Sequence, residues 1–262
     1  MSWLIVTMLI TSGLLVGFIN TLAGGGTIIS ISLFLFLGLP VSVANGTNRI
    51  AVFFQTLVST ASFKKQNVLD TRKGFLLGIP TIIGSVIGAK IAVDINEKLF
   101  EQAIGVIMLI MMFFIIYKPQ TWLKGKSELI TKKISFFQIF VFFLIGLYGG
   151  FIHVGVGYFI LAGLVLNAGY DLVKANALKV FLVLLYAPFT LIIFVYNKQI
   201  NYEYGLIHSI GNIAGAFIAS RFAVNWGANF VRWVIIIIIL ITSAQMFGMI
   251  NMKGVLENLL KN

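Results

Sequence analysis

Apolar runs of about 20 residues, the length at which a helix crosses a bilayer, recur along the whole of this chain. Of its 262 residues, 59% are hydrophobic and only 10% are charged, whereas soluble domains carry about 25% charged residues. Inside a bilayer every backbone polar group must be bonded within the protein, and a helix meets that requirement within one segment. The sequence therefore predicts an all-α polytopic membrane protein with almost no domain outside the bilayer.

Glycine-rich breaks divide the apolar sequence of each half into long and short segments. Segments 27–39 and 157–168 follow the breaks and are too short to span comfortably at about 1.5 Å per residue, so we expect half-helices or re-entrant segments there. Each half is then predicted to hold four long transmembrane helices and one short glycine-hinged segment. The predicted segments are 3–22, 27–39, 43–63, 74–93 and 98–117 in the first half, and 135–153, 157–168, 175–197, 204–223 and 229–249 in the second.

The two halves are predicted to be homologous repeats, because motifs of the first return in the second in the same order. The glycine break 24–26 returns as Gly155 and Gly157, and the run 45–49 returns as 175–179. Interrupted hydrophobic segments at corresponding positions of two halves point to the binding site of a secondary transporter. The predicted division is 1–117 for the first repeat, 118–134 for a basic cytoplasmic linker, 135–250 for the second repeat and 251–262 for a short C-terminal tail.

Loop charges indicate the orientation. Lysine and arginine crowd the connection 64–73 and the linker 118–133, whereas the turn between the two intervening spans carries Asp94 and Glu97. By the positive-inside rule the basic loops are cytoplasmic. If the short segments cross the membrane, each half makes five passes, the second half is inverted and both termini lie outside. If they do not cross, four passes per half predict parallel repeats, and the charge bias favours inversion only slightly.

Arg49 and Lys179 occupy matching places in the two halves, near the expected starts of long helices. A charge within a span is costly and marks a functional site by default, and helix starts favour anions through free N–H groups and the helix dipole. Neither cation has an acidic residue within three positions. We expect both to approach one central site and bind an anionic substrate; the alternative is a side chain that snorkels to the interface.

Further candidates surround the cations and the glycine breaks. Backbone N–H groups at the helix starts after the breaks are expected to form an anion nest; the alternative is a tight turn or a packing contact. The predicted substrate-binding residues are Arg49, Lys179, Asn48, Thr47, Asn45, Asn176, Gly24, Gly25, Gly26, Thr27, Gly157 and Tyr158. The predicted gating or proton-carrying residues are His153 and its counterpart Asn20, and the predicted helix-packing glycines are Gly84, Gly88, Gly211 and Gly215.

Several classes of function lack the residues they need. The chain has no cysteine, and its eight acidic residues all fall at or near predicted loops or helix ends. No nucleophile–base pair, acidic dyad or metal-ligand cluster is evident, so we expect no enzyme activity, no metal and no cofactor. The net charge of +11 is spread over helix ends and loops, which suits positive-inside topology and anionic lipid and makes a nucleic-acid partner a poor explanation.

Taken together, these motifs resemble the sulfite exporter TauE/SafE family, also called the TSUP family, over about residues 10–248, and most of all its YfcA-like branch. The motifs that carry the resemblance are Gly17-Phe18-Ile19, Ala23-Gly24-Gly25-Gly26-Thr27, Gly38-Leu39-Pro40, Gly46-Thr47-Asn48-Arg49, Gly84…Gly88-Ala89, Asp171-Leu172-Val173-Lys174-Ala175-Asn176 and Gly211…Gly215-Ala216.

The resemblance implies a multi-pass permease of the bacterial inner membrane, built of two related repeats. Family members are associated with sulfite, sulfonates and related sulfur-containing anions, often in export, and the break 24–26 and the run 47–49 carry over as substrate-path residues. The stretches 155–158 and 177–179 depart from the fuller family pattern, so the substrate within the family stays open.

We therefore expect export of a small sulfur-containing anion by alternating access, with the lipid bilayer as surroundings and the chain acting alone or as a homodimer. The alternatives are a channel-like anion pathway and a permease for another small organic anion.

Overall fold

The structure is a computed structural model that describes residues 1–94 and 134–246, with side chains described as far as Trp226 and again at Trp233. Every regular element within these residues is helical. The helices are α1 (Trp3–Leu22), α2 (Thr27–Phe36), α3 (Val41–Lys65), α4 (Thr71–Asp94), α5 (Phe136–Phe151), α6 (Val156–Ala162, continued by a π-helical segment Gly163–Asn167), α7 (Leu172–Tyr196) and α8 (Tyr202–Met246). The predicted span 98–117, nearly all of the linker and the C-terminal tail lie outside the described residues.

The long helices α3 and α7 begin earlier than the hydrophobic pattern predicted. α3 begins at Val41, directly after Pro40, and α7 begins at Leu172 because the Asp171 carboxylate accepts hydrogen bonds from the first-turn N–H groups of Val173 and Lys174. A side-chain oxygen in this position satisfies N–H groups that have no partner inside the helix. Arg49 and Lys179 therefore lie about two turns inside their helices, beyond the reach of the free N–H groups at the helix starts.

The last helix is longer than expected. The sequence predicted two segments, 204–223 and 229–249, but α8 runs without a break over 45 residues. The stretch between the predicted segments contains one glycine and no proline, so it lacks a strong helix breaker. At about 1.5 Å per residue the helix is roughly twice as long as the hydrocarbon core is thick.

The first short helix turns back along α1. Near the C-terminal end of α1, Asn20 forms two hydrogen bonds with Thr27, the first residue of α2. Asn20 Nδ2 donates to the Thr27 hydroxyl, and Asn20 Oδ1 accepts from the Thr27 N–H. One turn further along α2, the Ser30 hydroxyl lies 2.8 Å from His208 Nε2, and Nδ1 of the same ring lies 2.9 Å from the Leu9 carbonyl. Because α2 passes from the level of residue 20 to the level of residue 9, α1 and α2 form a re-entrant hairpin, here called hairpin 1.

The second short helix turns back along α5 in the same way. Tyr148 and Phe159 pack edge to face with ring centroids 5.2 Å apart, and at the other end Gln138 Nε2 donates to the Asn167 carbonyl at 2.8 Å. The π-helical segment thus ends beside the start of α5, and we call α5 and α6 hairpin 2. A hairpin of this kind returns to the side it entered from, so the next helix starts on that side.

Contacts between the long helices fix their directions. α1, α3 and α8 run parallel to one another, and α4, α5 and α7 run parallel to one another. The paired residues, in order along each pair of helices, are Ile10–Gly211 and Phe18–Phe222 for α1 with α8, Thr47–Asn201 and Ser62–Ser220 for α3 with α8, Thr81–Gly146 and Gly88–Phe151 for α4 with α5, and Gly74–Phe181 and Gly78–Leu185 for α4 with α7.

The two sets run in opposite directions, because the start of α3 at Gly46 lies against Phe194 near the end of α7. α5 consequently runs opposite to α1, α7 opposite to α3, and α8 opposite to α4. Opposite directions of this kind are the ones that the inverted arrangement predicts, and the repeat organisation stays a prediction.

The helices form two bundles that exchange one helix between the halves. Bundle 1 contains hairpin 1, α3 and α8, and bundle 2 contains hairpin 2, α7 and α4. Gly211 and Gly215 of α8 lie against the backbone of α1, and Gly84 and Gly88 of α4 lie against the backbone of α5. A side chain at any of these positions would collide with backbone atoms, so the small residues permit the close approach of helices that is common within membranes. The two glycine pairs contact different helices and not each other.

The lengths and surfaces of the helices suit a bilayer. Three helices, Trp3–Leu22, Thr71–Asp94 and Leu172–Tyr196, are long and apolar enough to cross a membrane. α3 has the length as well, but its buried face carries Asn45, Arg49 and Gln55, which lower its hydropathy. The outward faces of α4, α7 and α8 expose large aliphatic side chains. The chain is membrane-embedded.

Candidate functional site

The two glycine breaks meet where the bundles face each other. Gly24 has a φ of +89°, and a Cβ built on it would lie 2.9 Å from the carbonyl carbon of Gly157 and closer still to its Cα. Gly25 faces the ring of Tyr158. Both breaks are buried over their whole length. Segments that are about 130 residues apart in the chain thus touch, backbone to backbone, in the centre of the protein.

A small cavity lies beside this contact. Its polar lining comes from both bundles, and its volume is about 10 Å³, which is room for about one water molecule. An oxyanion with several heavy atoms does not fit into this space, so binding one requires the hairpins to separate. The lining residues are Asn20, Gly24, Gln55 and Thr56 from bundle 1, and His153, Val156, Gly157, Lys179, Val180 and Val183 from bundle 2.

Lys179 reaches from α7 of bundle 2 to the end of α1 in bundle 1. Its Nζ donates to the carbonyls of Asn20 and Thr21, each at 2.9 Å, and to Asn176 Oδ1 at 2.8 Å. Three acceptors match the three protons of an ammonium group. The two carbonyls belong to the last turn of α1, where the helix dipole is negative. We call this arrangement the Lys179 contact.

Arg49 makes the corresponding reach in the other direction, from α3 of bundle 1 to the end of α5 in bundle 2. Nη1 donates to the Gly149 carbonyl at 2.7 Å, and Nη2 donates to the Gly150 carbonyl at 2.8 Å and to Asn45 Oδ1 at 3.4 Å. The guanidinium carbon lies 5.2 Å from the centre of the Phe194 ring, within the range of a cation–π interaction. We call this arrangement the Arg49 contact.

The two contacts lie on opposite sides of the cavity. Arg49 is near the start of α3 and beside the end of α7, whereas Lys179 is near the start of α7 and reaches Thr21, which is bonded to Ser59 in the last third of α3. Since α3 ends at the basic connection predicted to be cytoplasmic, the Lys179 contact is on the predicted cytoplasmic side. The Arg49 contact is on the other side.

Neither buried cation is paired with a carboxylate of the described residues. Arg49 is 0% and Lys179 1% exposed, and within residues 1–94 and 134–246 the ion pair that forms is an exposed one, between Lys174 and Asp171. Neutral carbonyl and amide oxygens offset only part of the cost of burying two positive charges. An anion placed between the bundles would lower that cost.

Comparison with known proteins identifies the family of the chain. The family model described as sulfite exporter TauE/SafE matches residues 9–246. The chain belongs to the TauE/SafE family. It is similar to the probable membrane transporter protein ORF9 of Sinorhizobium sp., with 24% identity over 89% of each chain. It is also similar to a probable membrane transporter protein of Haemophilus influenzae, with 23% identity over 92% of this chain and 94% of the relative. YfcA of Escherichia coli K12, named a probable membrane transporter protein, is 23% identical over 93% of this chain and 90% of the relative. No solved structure matches the chain significantly.

In this TauE/SafE protein the cations lie beside the C-terminal ends of helices and not, as expected, beside N-terminal ends. The sequence predicted free N–H groups at helix starts, whereas Arg49 and Lys179 meet carbonyls at helix ends. At the start of α2 the Thr27 N–H already donates to Asn20 Oδ1 at 3.2 Å, and in α6 the Tyr158 N–H donates to the Gly155 carbonyl at 3.0 Å. The difference arises because the cations lie two turns inside their own helices and reach across to the other bundle.

The remaining predicted residues fall into three groups. Asn45 and Asn176 support the cations, since Asn45 also donates to the Phe151 carbonyl at 3.0 Å and Asn176 accepts from Lys179. Asn48 is fully buried, and neither polar atom of its side chain has a partner among the described residues. The same holds for the Tyr158 hydroxyl and Arg49 Nε. Thr47 lies away from the cavity, where it accepts a hydrogen bond at the start of α8.

His153 and Asn20 face the cavity from opposite bundles. His153 Nδ1 lies 3.0 Å from the Tyr186 hydroxyl, and Asn20 Nδ2 donates to Gln55 Oε1 at 3.4 Å. The sequence did not predict the carbonyl groups that accept from the two cations, because every residue type has a backbone carbonyl. The indirect signal was position: these carbonyls lie in the last turn before each predicted glycine break.

Thr47 gives a direct test of which predicted residues are structural. Its Oγ1 accepts from the Asn201 N–H at 2.9 Å, and loss of such a helix-start acceptor costs about 0.5–2 kcal/mol. We expect Thr47→Ala to lower the thermal unfolding midpoint and Thr47→Ser to restore it, with anion affinity unchanged in both. A loss of affinity in Thr47→Ala at unchanged stability would instead place Thr47 on the substrate path.

Proposed function

We propose that this protein is a bacterial inner-membrane transporter, not an enzyme, that moves small sulfur-containing anions such as sulfite or organosulfonates, in the outward direction, by alternating access between two inverted repeats. The observation that carries the proposal is the pair of buried cations, Arg49 and Lys179, placed on either side of the central contact without a carboxylate partner in the described part of the chain. Opposed helix directions of the two halves support the inverted repeats.

The chemistry of the site suits an oxyanion. Arg49 supplies a planar fork that pairs with two oxygens at once, and Lys179 supplies a compact charge. Arg49 Nε and the Tyr158 hydroxyl have no partner in the part of the chain that the structure describes, so both can donate to a ligand without loss of a described bond. Membership of a family named for sulfite export directs this general affinity for oxyanions towards sulfur oxyanions.

The two cation contacts suggest how access alternates. With both contacts formed, the bundles enclose a cavity of about 10 Å³. Breaking the Arg49 contact would free the end of hairpin 2 and open the cavity to the non-cytoplasmic side. Breaking the Lys179 contact would free the end of hairpin 1 and open it to the cytoplasm. An anion competes with the carbonyls for each cation, so its binding favours the open form on that side by its differential affinity alone.

Coupling to another ion has few candidates. Within residues 1–94 and 134–246 no acidic side chain borders the cavity, and intramembrane carboxylates are the usual proton carriers of transporters. His153 borders the cavity and can carry a proton, and a weak-acid substrate brings its own proton. Uncoupled, electrogenic movement of the anion also accords with the site.

Solid-supported-membrane electrophysiology on proteoliposomes tests the proposal with sulfite, thiosulfate, sulfoacetate, taurine and chloride. We expect transient, saturable currents with one or more sulfur anions, none with chloride, and accelerated exchange when substrate is present on both sides. Sustained currents without saturation would instead indicate the channel-like pathway. Silence with every sulfur anion, from protein that remains monodisperse, would place the substrate outside the sulfur oxyanions.

A further inference from the structure

A groove separate from the central cavity lies between the end of α3 and the middle of α8. It is a surface cavity of about 590 Å³, far larger than the central one. Part of its lining is apolar and part is polar or basic. The apolar residues are Val58, Ala61 and Phe217, and the polar and basic residues are Ser62, Lys65, Gln66, Arg221 and Asn225.

Hydrogen bonds between the helices hold the groove in shape. The hydroxyls of Ser62 and Ser220 lie 2.7 Å apart, and Gln66 Nε2 donates to the Ser62 carbonyl at 3.2 Å and the Ser220 carbonyl at 3.3 Å. The Arg221 guanidinium lies over the ring of Phe217, 4.4 Å from its centre. The floor is thereby fixed, and one of the two cations is held at the mouth.

The groove crosses the boundary between acyl chains and headgroups. Lys65 is the last residue of α3 and belongs to the basic connection 64–73, whereas Val58 lies about two turns deeper. Next to the apolar part, Leu57, Phe217 and Ile218 expose 45%, 43% and 39% of their surface, as side chains that face lipid do. With the basic connection at the cytoplasmic surface, as its charges predict, the apolar wall lies at the depth of acyl chains and the cations lie at the depth of phosphates.

We propose that this groove is a binding site for an anionic glycerophospholipid. Lys65 and Arg221 bind the phosphate, Gln66 and Asn225 bond the polar part of the headgroup, and one acyl chain lies along Val58, Ala61 and Phe217. Neither cation forms an ion pair with any described residue, so their charges are available. Basic pockets between helices on the cytoplasmic side are suited to acidic headgroups, and the continuous apolar wall selects a lipid over a free phosphate.

Native mass spectrometry of the full-length protein, released from micelles doped with defined lipids, tests the site. The probes are phosphatidylglycerol, phosphatidylethanolamine and phosphatidylcholine. We expect phosphatidylglycerol to be retained about tenfold more strongly than phosphatidylcholine, since each basic residue near the headgroups contributes roughly a severalfold factor. The double variant Lys65→Gln/Arg221→Gln should lower retention of phosphatidylglycerol to the phosphatidylcholine level.

Two control variants distinguish a specific lipid site from non-specific attraction by the positive charge of the membrane face. Lys64→Gln/Arg72→Gln removes the same charge from the same membrane face outside the groove and should leave retention unchanged. Lys65→Arg/Arg221→Lys keeps the charge and should bind as the parent does, which covers poor folding of the neutral variant. Equal retention of all three lipids, equal loss in both neutral variants, or displacement of the lipid by soluble glycerol 3-phosphate at equal concentration would each overturn the proposal.

Discussion

Gly24→Ala is expected to produce one of the two largest effects of any single substitution. It should lower the free energy of unfolding by about 2–5 kcal/mol and abolish transport. Two costs add at this residue. An alanine at φ +89° carries about 1–2 kcal/mol of left-handed strain, and its Cβ collides with the backbone of Gly157, which adds about 1–3 kcal/mol of overpacking. Denaturant unfolding in detergent and transport in proteoliposomes measure the two losses.

Two other glycines separate these costs. Gly157→Ala meets Gly24 from the opposite side without a positive φ, so it should show only the overpacking cost, with transport impaired. Gly38 has a φ of +88° and open space where its Cβ would be, so Gly38→Ala should show only the strain cost, with transport intact. If Gly24→Ala behaves like Gly38→Ala, the two glycine breaks do not touch in the membrane.

The sequence was sufficient to predict an all-helical membrane protein and the positions of the glycine breaks. Long apolar runs require helices that span the bilayer, and the glycines at 24–26 and at 155 and 157 mark where those helices are interrupted. The family resemblance is confirmed by the family match over residues 9–246, and the relatives named membrane transporter proteins support embedding in a membrane. These conclusions rest on amino-acid composition and on the spacing of apolar residues and glycines, both of which can be read from the sequence.

Directions and partners were not predictable in the same way. The turn of α2 back along α1 depends on Ser30 and Leu9 both bonding His208, a residue of the last helix that no local pattern links to them. The starts of α3 and α7 were placed too late, because the predicted bounds followed hydrophobicity and not the helix-start signals Pro40 and Asp171. The acceptors of Arg49 and Lys179 are backbone carbonyls, which every residue type provides equally.

The second large effect is expected from neutralising the two cations. Each makes charge-assisted hydrogen bonds that are worth about 1.5–3 kcal/mol, so Arg49→Gln and Lys179→Gln should each weaken anion-dependent currents by about 10- to 100-fold, and the double variant should be silent. Lys90→Gln removes a charge from an exposed position of α4 and serves as the matched control. The rise in thermal unfolding midpoint on adding the anion should be smaller in each single variant and absent in the double variant, because a ligand stabilises only the form that binds it.

The same variants should open the protein to opposite sides. The chain has no cysteine, so Thr56→Cys places a single thiol at the cavity with little change in volume. In sealed vesicles of known orientation, Arg49→Gln should raise its labelling by a membrane-impermeant reagent from the non-cytoplasmic side, and Lys179→Gln should raise it from the cytoplasmic side. Lys90→Gln should change neither rate. If both variants raise labelling from one side, the cations do not close opposite entrances, and alternation must then depend on the glycine contact alone.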